Sequence, residues 1–265
     1  MYDLIFTDLD GTLLLENGKI GSYTTDVLKA LSNNNKQVVF ATGRSYYDIK
    51  SMIDDINIPV HTITSNGSRV ISSCGQLNET MNLPEDVVRT LIDESKKSDL
   101  IINMYCGSQW LTTQKDHDLS DFNQSEHFLP RFVEVDQLPV QNVEKVFFIH
   151  PQRLISPLLE LQAKLDGMLA KKINLTFSFN WCLEVMDNNV SKGEAVKKLA
   201  GFLDIPLDNC IGFGDGMNDL EMLSTVGKGL VMSNSSPTLK SSLPGCNDIG
   251  CNKSESVAKY LSSLL

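Results

Sequence analysis

The chain has 265 residues, enough for one large domain or two modest ones with a sizeable core, and a hydrophobic content of 42% that fits a globular protein. Its formal net charge of −10 disfavours nucleic acids and anionic membranes as partners, so an anionic substrate needs local cations and a metal to hold it. No apolar run approaches the ~20 residues of a membrane span and the N-terminus lacks a signal-peptide pattern, which together lead us to expect a cytoplasmic protein.

In chain order, Asp3 to Thr7 reads as a short buried strand through Leu4, Ile5 and Phe6, followed by the turn residues Asp10-Gly11. A helix is predicted from Tyr23 to Asn33, a strand at Gln37 to Ala41, a helix at Ser45 to Ile56 and a strand at His61 to Thr64 ending in Ser65-Asn66-Gly67. This β, α, β, α, β order argues for a parallel sheet with right-handed crossovers. After a hairpin around Cys74-Gly75 the pattern changes. Pro84, Glu85 and Asp86 mark a helix start. Strand-like runs follow at Leu100 to Tyr105, Gln109 to Thr113, Lys145 to His150, Ile173 to Phe179 and Cys182 to Met186, with an amphipathic helix between Leu154 and Leu169. From Ser191 the first rhythm returns: helix to Leu203, strand Cys210 to Phe213, helix Asn218 to Ser224, strand Gly229 to Met232, helix Pro237 to Ser242 and a terminal helix from Glu255. The fold class is therefore α/β, a Rossmann-like doubly wound parallel sheet interrupted by an α+β insertion. The expected boundaries are residues 1–82 and 187–265 for the split domain and 83–186 for the insertion. The six cysteines are dispersed, with no CxxC pair, and read as small core hydrophobes rather than disulfides or zinc ligands.

Four strand or helix ends carry chemistry. Asp8 closes the first strand, and Asp10 follows two residues later. Such a pair suits covalent catalysis, with one carboxylate attacking phosphorus and the other handling the proton of the leaving oxygen. Thr42-Gly43-Arg44 follows the second strand, where a hydroxyl and free backbone N–H groups can cradle phosphate oxygens. Ser191 and Glu194 have capping-box spacing, which puts Lys192 at the first position of a helix. A cation there opposes the helix dipole unless an anion lies beside it. Gly214-Asp215-Gly216-Met217-Asn218-Asp219 follows a strand and opens a helix, so Asp215 is a candidate hard-oxygen ligand for Mg²⁺. Each fragment alone is an ordinary turn or cap; together they describe a metal-assisted phosphate site.

These fragments resemble the motifs of the haloacid dehalogenase superfamily of phosphatases, in its Cof-type branch (subfamily IIB). The resemblance runs from Asp8-Leu9-Asp10-Gly11-Thr12 through Ala41-Thr42-Gly43-Arg44, Ser65-Asn66-Gly67 and Val190-Ser191-Lys192-Gly193 to Gly214-Asp215-Gly216-Met217-Asn218-Asp219. It implies Asp8 as nucleophile and Asp10 as general acid and base. Mg²⁺ would be bound by Asp8, the backbone carbonyl of Asp10, and Asp215. Leu9 (through its N–H), Thr42, Gly43, Arg44, Lys192 and Asn218 would hold phosphate or substrate, supported by Asp219 and Asn66. The insertion would be a cap that selects the substrate, with pyridoxal phosphate and sugar phosphates the class implied. Met232-Ser233-Asn234-Ser235 departs from the family pattern of a glycine and an alanine around the asparagine, and only local repacking is expected there.

Other readings stay open on the residues alone. A receiver-type signalling domain also combines acidic residues, Thr and Lys on a doubly wound sheet, but accepts phosphate after a later strand and has no inserted cap. A phosphomutase would need its aspartyl phosphate to survive water, and a dehalogenase would leave Asp10 without a use. In the insertion, Tyr105, Trp110, Phe179 and Trp181 are candidates for a ring-stacking surface or for core. His117, His127 and Glu184 are candidate substrate contacts. A small-molecule substrate and a monomer or small homo-oligomer are expected.

Overall fold

Short apolar runs between turn residues become strands. The first stretch of chain holds β1 (Leu4–Thr7), α1 (Ser22–Asn33), β2 (Gln37–Ala41), α2 (Tyr46–Ile56), β3 (Val60–Thr64), β4 (Arg69–Ile71) and β5 (Asn78–Thr80). The middle stretch holds α3 (Glu85–Ser95), β6 (Ile101–Cys106), β7 (Gln109–Thr112), β8 (Pro130–Phe132), β9 (Lys145–Ile149), α4 (Ser156–Leu169), β10 (Ile173–Phe179) and β11 (Cys182–Asp187). The last stretch adds α5 (Lys192–Phe202), β12 (Cys210–Gly214), α6 (Leu220–Thr225), β13 (Lys228–Val231), α7 (Pro237–Ser242), β14 (Asn247–Asp248) and α8 (Ser256–Ser262). This is a computed structural model, and it describes residues 2–114 and 128–265. His117 and His127 lie outside the described residues.

The chain divides into one unit made of Met1–Glu79 with Ser191–Leu265 and a second made of Thr80–Val190. In the first, the strand order is β14-β13-β12-β1-β2-β3-β4-β5. The pairings from β14 to β3 are parallel, and β4 turns back antiparallel on β3. Helices cover both faces. Val27, Leu28 and Leu31 of α1, Ile49 and Ile56 of α2, and Val257 and Leu261 of α8 pack with Ile5, Val38, Phe40 and Phe213 on one side. Val196 and Leu199 of α5, Met222 of α6 and Leu239 of α7 pack with Leu4, Phe6, Val39 and Ile63 on the other. Burying apolar side chains on both sides makes these strands near-continuous hydrophobic runs. The strand order reverses between β1 and β12, which opens a crevice at their carboxyl ends.

The second unit is a six-stranded sheet of order β10-β11-β9-β6-β7-β8. Its pairings are antiparallel except for β7 with β8. α3 and α4 pack against one face of it through Val88, Leu91, Leu158 and Leu165. No helix of the described residues is long and apolar enough to cross a membrane. All six cysteines are free, but only Cys182 and Cys210 are buried. The reading of all six as core residues is thereby corrected: Cys74 is exposed and the other three are half-buried, with Cys106 and Cys246 still packed against the apolar clusters.

His61 on β3 is buried among these layers. The Ser73 N–H donates to its Nδ1 at 3.1 Å, so its proton sits on Nε2 and is donated to Gln37 Oε1 at 2.9 Å. Burial pulls its pKa down to about 4. Between its ordinary value of about 6.5 and about 4 the unfolded chain binds the extra proton, so stability is lost as pH falls through that window. Urea titrations at about pH 7 and about pH 5 should show this loss, and His61→Gln should flatten it.

Candidate active site

Asp8 directly follows β1 and Asp215 directly follows β12, at the crevice where the strand order reverses. Asp8, Asp215 and Asp219 bring one carboxylate oxygen each within 4.8 Å of the others. Lys192 opens α5, whose start is fixed by Ser191: its hydroxyl accepts the Glu194 N–H at 3.1 Å. The Lys192 side chain is fully buried and its Nζ donates to Asp8 Oδ1 and to Asp219 Oδ1, both at 2.6 Å. Burial alone would strip its proton, but the Asp219 and Asp8 carboxylates outweigh that and hold its pKa above the ordinary lysine value.

Asp219 is used on both oxygens, because Oδ2 accepts the Asp215 N–H at 3.0 Å and the Gly216 N–H at 2.9 Å. It braces the turn that presents Asp215. The Asp215 carboxylate accepts the Thr12 hydroxyl at 2.8 Å, and Asn234 Nδ2 lies 3.4 Å from its other oxygen while donating to the Gly11 carbonyl at 2.8 Å. Burial and then the Asp219 charge push Asp215 up to about 7. Burial likewise pushes Asp8 well above the usual carboxylate range; Lys192 opposes this, while Asp219, Asp215 and Asp10 add to it. Gly11 has φ +74°, and a Cβ there would come within 2.3 Å of Asp215 Oδ2. Only glycine lets the chain turn this close to the carboxylate.

Asp10 is held apart from this acid cluster. Arg44 grips it through Nε at 2.7 Å and Nη2 at 2.5 Å, and reaches Asp48 through Nη1 at 3.4 Å. The guanidinium read from the sequence as a phosphate contact is thus engaged with two carboxylates. Thr42 is buried, and its Oγ accepts the Arg44 N–H at 3.1 Å. Asn66 Oδ1 accepts from Asn218 Nδ2 at 3.0 Å, and a Cβ on Gly43 would sit 3.1 Å from the same oxygen. Gly43, Asn66 and Asn218 therefore converge from three loops. The side chain of Leu9 is buried in the core, leaving its backbone as the part available to a ligand.

Two contributors escaped the site assignment made from sequence. Thr12 was quoted only as part of a motif, and Asn234 only as the asparagine whose neighbours depart from the family pattern, with local repacking expected there. The signal for Asn234 was its place just after β13, at the ligand edge of the sheet. Its loop is pinned by Lys240, which donates to the Ser233 carbonyl at 2.8 Å and to Asp248 at 2.9 Å.

The Asp8–Lys192–Asp219 chain implies a stability cost for removing its cation. Lys192→Met should lower the free energy of unfolding by about 3 kcal/mol, because it leaves two buried carboxylates without a counter-charge. Urea titration of the metal-free protein at neutral pH measures this.

The family model for haloacid dehalogenase-like hydrolases matches residues 5–261. An HMP-PP phosphatase of Yersinia pseudotuberculosis is 37% identical over 261 residues, covering 98% of this chain and 94% of the relative. The HMP-PP phosphatase of Yersinia pestis matches to the same extent. Among solved structures, a haloacid dehalogenase-like hydrolase from Bacteroides thetaiotaomicron superposes with a TM-score of 0.86 at 23% identity and full coverage of both chains. A HAD subclass IIB sugar phosphatase gives a TM-score of 0.83 at 18% identity, covering 99% of this chain and 98% of its own. At these identities the structural likeness speaks for a shared fold, whereas the family model and the sequence relatives settle membership: the chain belongs to the haloacid dehalogenase-like hydrolase family and is one of its phosphatases.

Proposed function

We propose that the protein is a Mg²⁺-dependent phosphatase of small phosphorylated metabolites, working through a phosphoaspartate on Asp8. The observation that carries this reading is the buried Lys192 ammonium between Asp8 and Asp219, with Asp215 beside them at the crevice of the sheet. Asp8 attacks phosphorus, the bond from phosphorus to the ester oxygen breaks, and Asp10 gives its proton to that oxygen as the alcohol leaves. Asp10 then takes a proton from water, whose oxygen attacks phosphorus. The bond to Asp8 breaks, inorganic phosphate departs, and Asp10 is again protonated. For both steps Asp10 has to leave the Arg44 guanidinium that grips it in this structure. Lys192 offsets charge on Asp8 and on the phosphate oxygens. Thr42, Gly43, Asn218 and the Leu9 N–H supply hydrogen-bonding groups for those oxygens.

The donor set fits a divalent cation. Asp8 and Asp215 present hard carboxylate oxygens, and Asp219 has both of its own committed. The rise of Asp215 to about 7 comes first from burial and then from the neighbouring Asp219 charge, and a bound cation would favour its ionised form. Asp8, Asp215 and the Asp10 carbonyl would hold Mg²⁺, which when bound supplies charge neutralisation at the phosphate oxygens.

For the substrate, two lines converge on small molecules. The family resemblance points to pyridoxal 5′-phosphate and phosphosugars, and the sequence relatives bear the name HMP-PP phosphatase. Phosphate release should therefore be seen with Mg²⁺ on pyridoxal 5′-phosphate, hexose phosphates or HMP-PP, and not on phosphoproteins or nucleic acids. Asp8→Asn should leave less than about a thousandth of that activity in a correctly folded protein, since an amide does not attack phosphorus. Release confined to phosphoprotein, or an active Asp8→Asn, would overturn the reading.

Metal binding should depend on pH with a defined sign. Below about 7 a proton competes for Asp215, so the apparent Mg²⁺ affinity should rise as pH increases from about 6 to about 8. Calorimetry in buffers of different ionisation enthalpy would read both the affinity and the proton released. An affinity independent of pH would remove Asp215 from the ligand set.

A further inference from the structure

Among the described residues four strands end the two sheets, and three of them are blunted. β5 is short and exposed, with Glu79 at its centre, and β14 is shorter still and carries Asp248. β8 is short as well and brings Pro130 and Arg131. Shortness, charge and proline are the means by which proteins keep an open ladder from recruiting another strand. β10, at the other end of the second sheet from β8, is guarded by none of them. Its 7 residues, Ile173–Phe179, hold no charge, no proline and no glycine. Among the described residues no strand pairs with its outer edge.

The orientation of its main chain follows from β11. Ile173 stands opposite Asp187, and one step earlier the Asn188 N–H donates to the Lys172 carbonyl at 3.3 Å. Lys172 therefore turns its main chain toward β11, and in an antiparallel pair that orientation alternates from residue to residue. Asn174 and Thr176 follow Lys172, whereas Ile173, Leu175 and Phe177 hold their N–H and C=O groups outward. The register is regular from Ile173 to Phe177 and shifts before Phe179, so the usable edge is centred on Leu175. The side chains share that centre. Ile173, Leu175 and Phe177 lie on the face that packs with α3 and α4, and Leu175 and Phe177 are only half-buried there.

A strand laid antiparallel on this edge has to present apolar residues and outward main-chain groups at the positions where β10 presents its own. A second β10 does both when a two-fold axis passes through Leu175. Leu175 then meets the partner's Leu175, Ile173 meets the partner's Phe177, and Asn174 meets the partner's Thr176. The Leu175 pair and both Ile173–Phe177 pairs exchange two main-chain hydrogen bonds each. No charge is set opposite a like charge, although the chain carries −10.

We infer that β10 is a self-association edge, through which two copies of this chain join as a two-fold dimer with one sheet continuous across both. A contact one strand wide is narrow, so the dimer is reversible, with a Kd of about 10–100 μM. The inference does not depend on the phosphatase reading.

Sedimentation velocity of the full chain, over a concentration series spanning that range, tests it. Wild type should pass from monomer to dimer. Leu175→Lys and Leu175→Glu each set like charges against one another at the axis and should weaken the dimer ~10-fold or more, because juxtaposed like charges are costly at an interface. An equal mixture of the two variants should dimerise again, a rescue that misfolding does not give. Leu175→Cys adds a covalent readout from a milder substitution. Cα atoms across a hydrogen-bonded antiparallel pair are ~5.5 Å apart, within reach of a disulfide, so mild oxidation should link two copies and peptide mapping should place the bond at position 175 in both. A wild type that stays monomeric throughout overturns the inference and leaves the edge to a strand from another protein. A dimer that both charged variants retain, or that Leu175→Cys does not link, overturns it as well.

Discussion

A lysine ammonium with no exposure to solvent, shared between two carboxylates, is the contact on which the candidate active site depends. Lys192 ties the end of β1, through Asp8, to the turn after β12, through Asp219, while itself opening α5. At low local dielectric such a charge is stabilising only if both partners stay in place, and each carboxylate is tolerable only while the ammonium is there. Asp219 passes the constraint onward by accepting two backbone N–H groups from the turn that carries Asp215. Thr12 and Asn234 then orient Asp215 from the opposite side. The excess acidity left over is what a divalent cation and a phosphate dianion are suited to balance between them.

Much of this was readable in the chain before any coordinates. Val38, Val39 and Phe40, or Cys210, Ile211 and Phe213, are buried on both sides and so appear as unbroken apolar runs. The Ser191 to Glu194 spacing announced the cap that sets Lys192 at the start of α5, and the hydroxyl contact is present. What escaped were short strands defined by their neighbours rather than by their own composition. β5 is exposed throughout and β14 has only two residues; such edge strands exist because a paired neighbour supplies the ladder. Helix starts shifted by a residue or two, as at Ser156 in α4, where Pro157 sits in the first turn.

Partner choice within the site was the other illegible part. Asp10 and Arg44 are 34 positions apart, and Asn66 and Asn218 are 152 apart. Residue type at a strand end says that a group is available, but only the packed sheet says which group it meets. The aromatic residues of the second unit show the same limit. Tyr105 and Trp110 have their faces and edges absorbed by one another, Phe128 and Phe147. Phe179 and Trp181 stack at 5.0 Å with Arg153 over the indole. An aromatic in a strand announces bulk, and its neighbours decide whether that bulk is a surface or a filling.

The pairing of β1 has a consequence for how the molecule comes into being. Leu4 is opposite Gln37 on one side and Cys210 on the other, so the central strand of the first sheet completes its ladder across about two hundred intervening residues. Thr80–Val190, in contrast, is continuous and closes its own sheet from within. Long loop closure makes distant pairing slow, and a chain emerging from the ribosome presents its earlier residues first. Until Cys210–Gly214 has been synthesised, β1 carries an open hydrogen-bonding edge flanked by apolar residues, a liability for pairing with another chain. The insertion can be finished while the sheet around it is still half built, and the acid cluster, whose members come from both sides of the insertion, is among the last parts of the protein to exist.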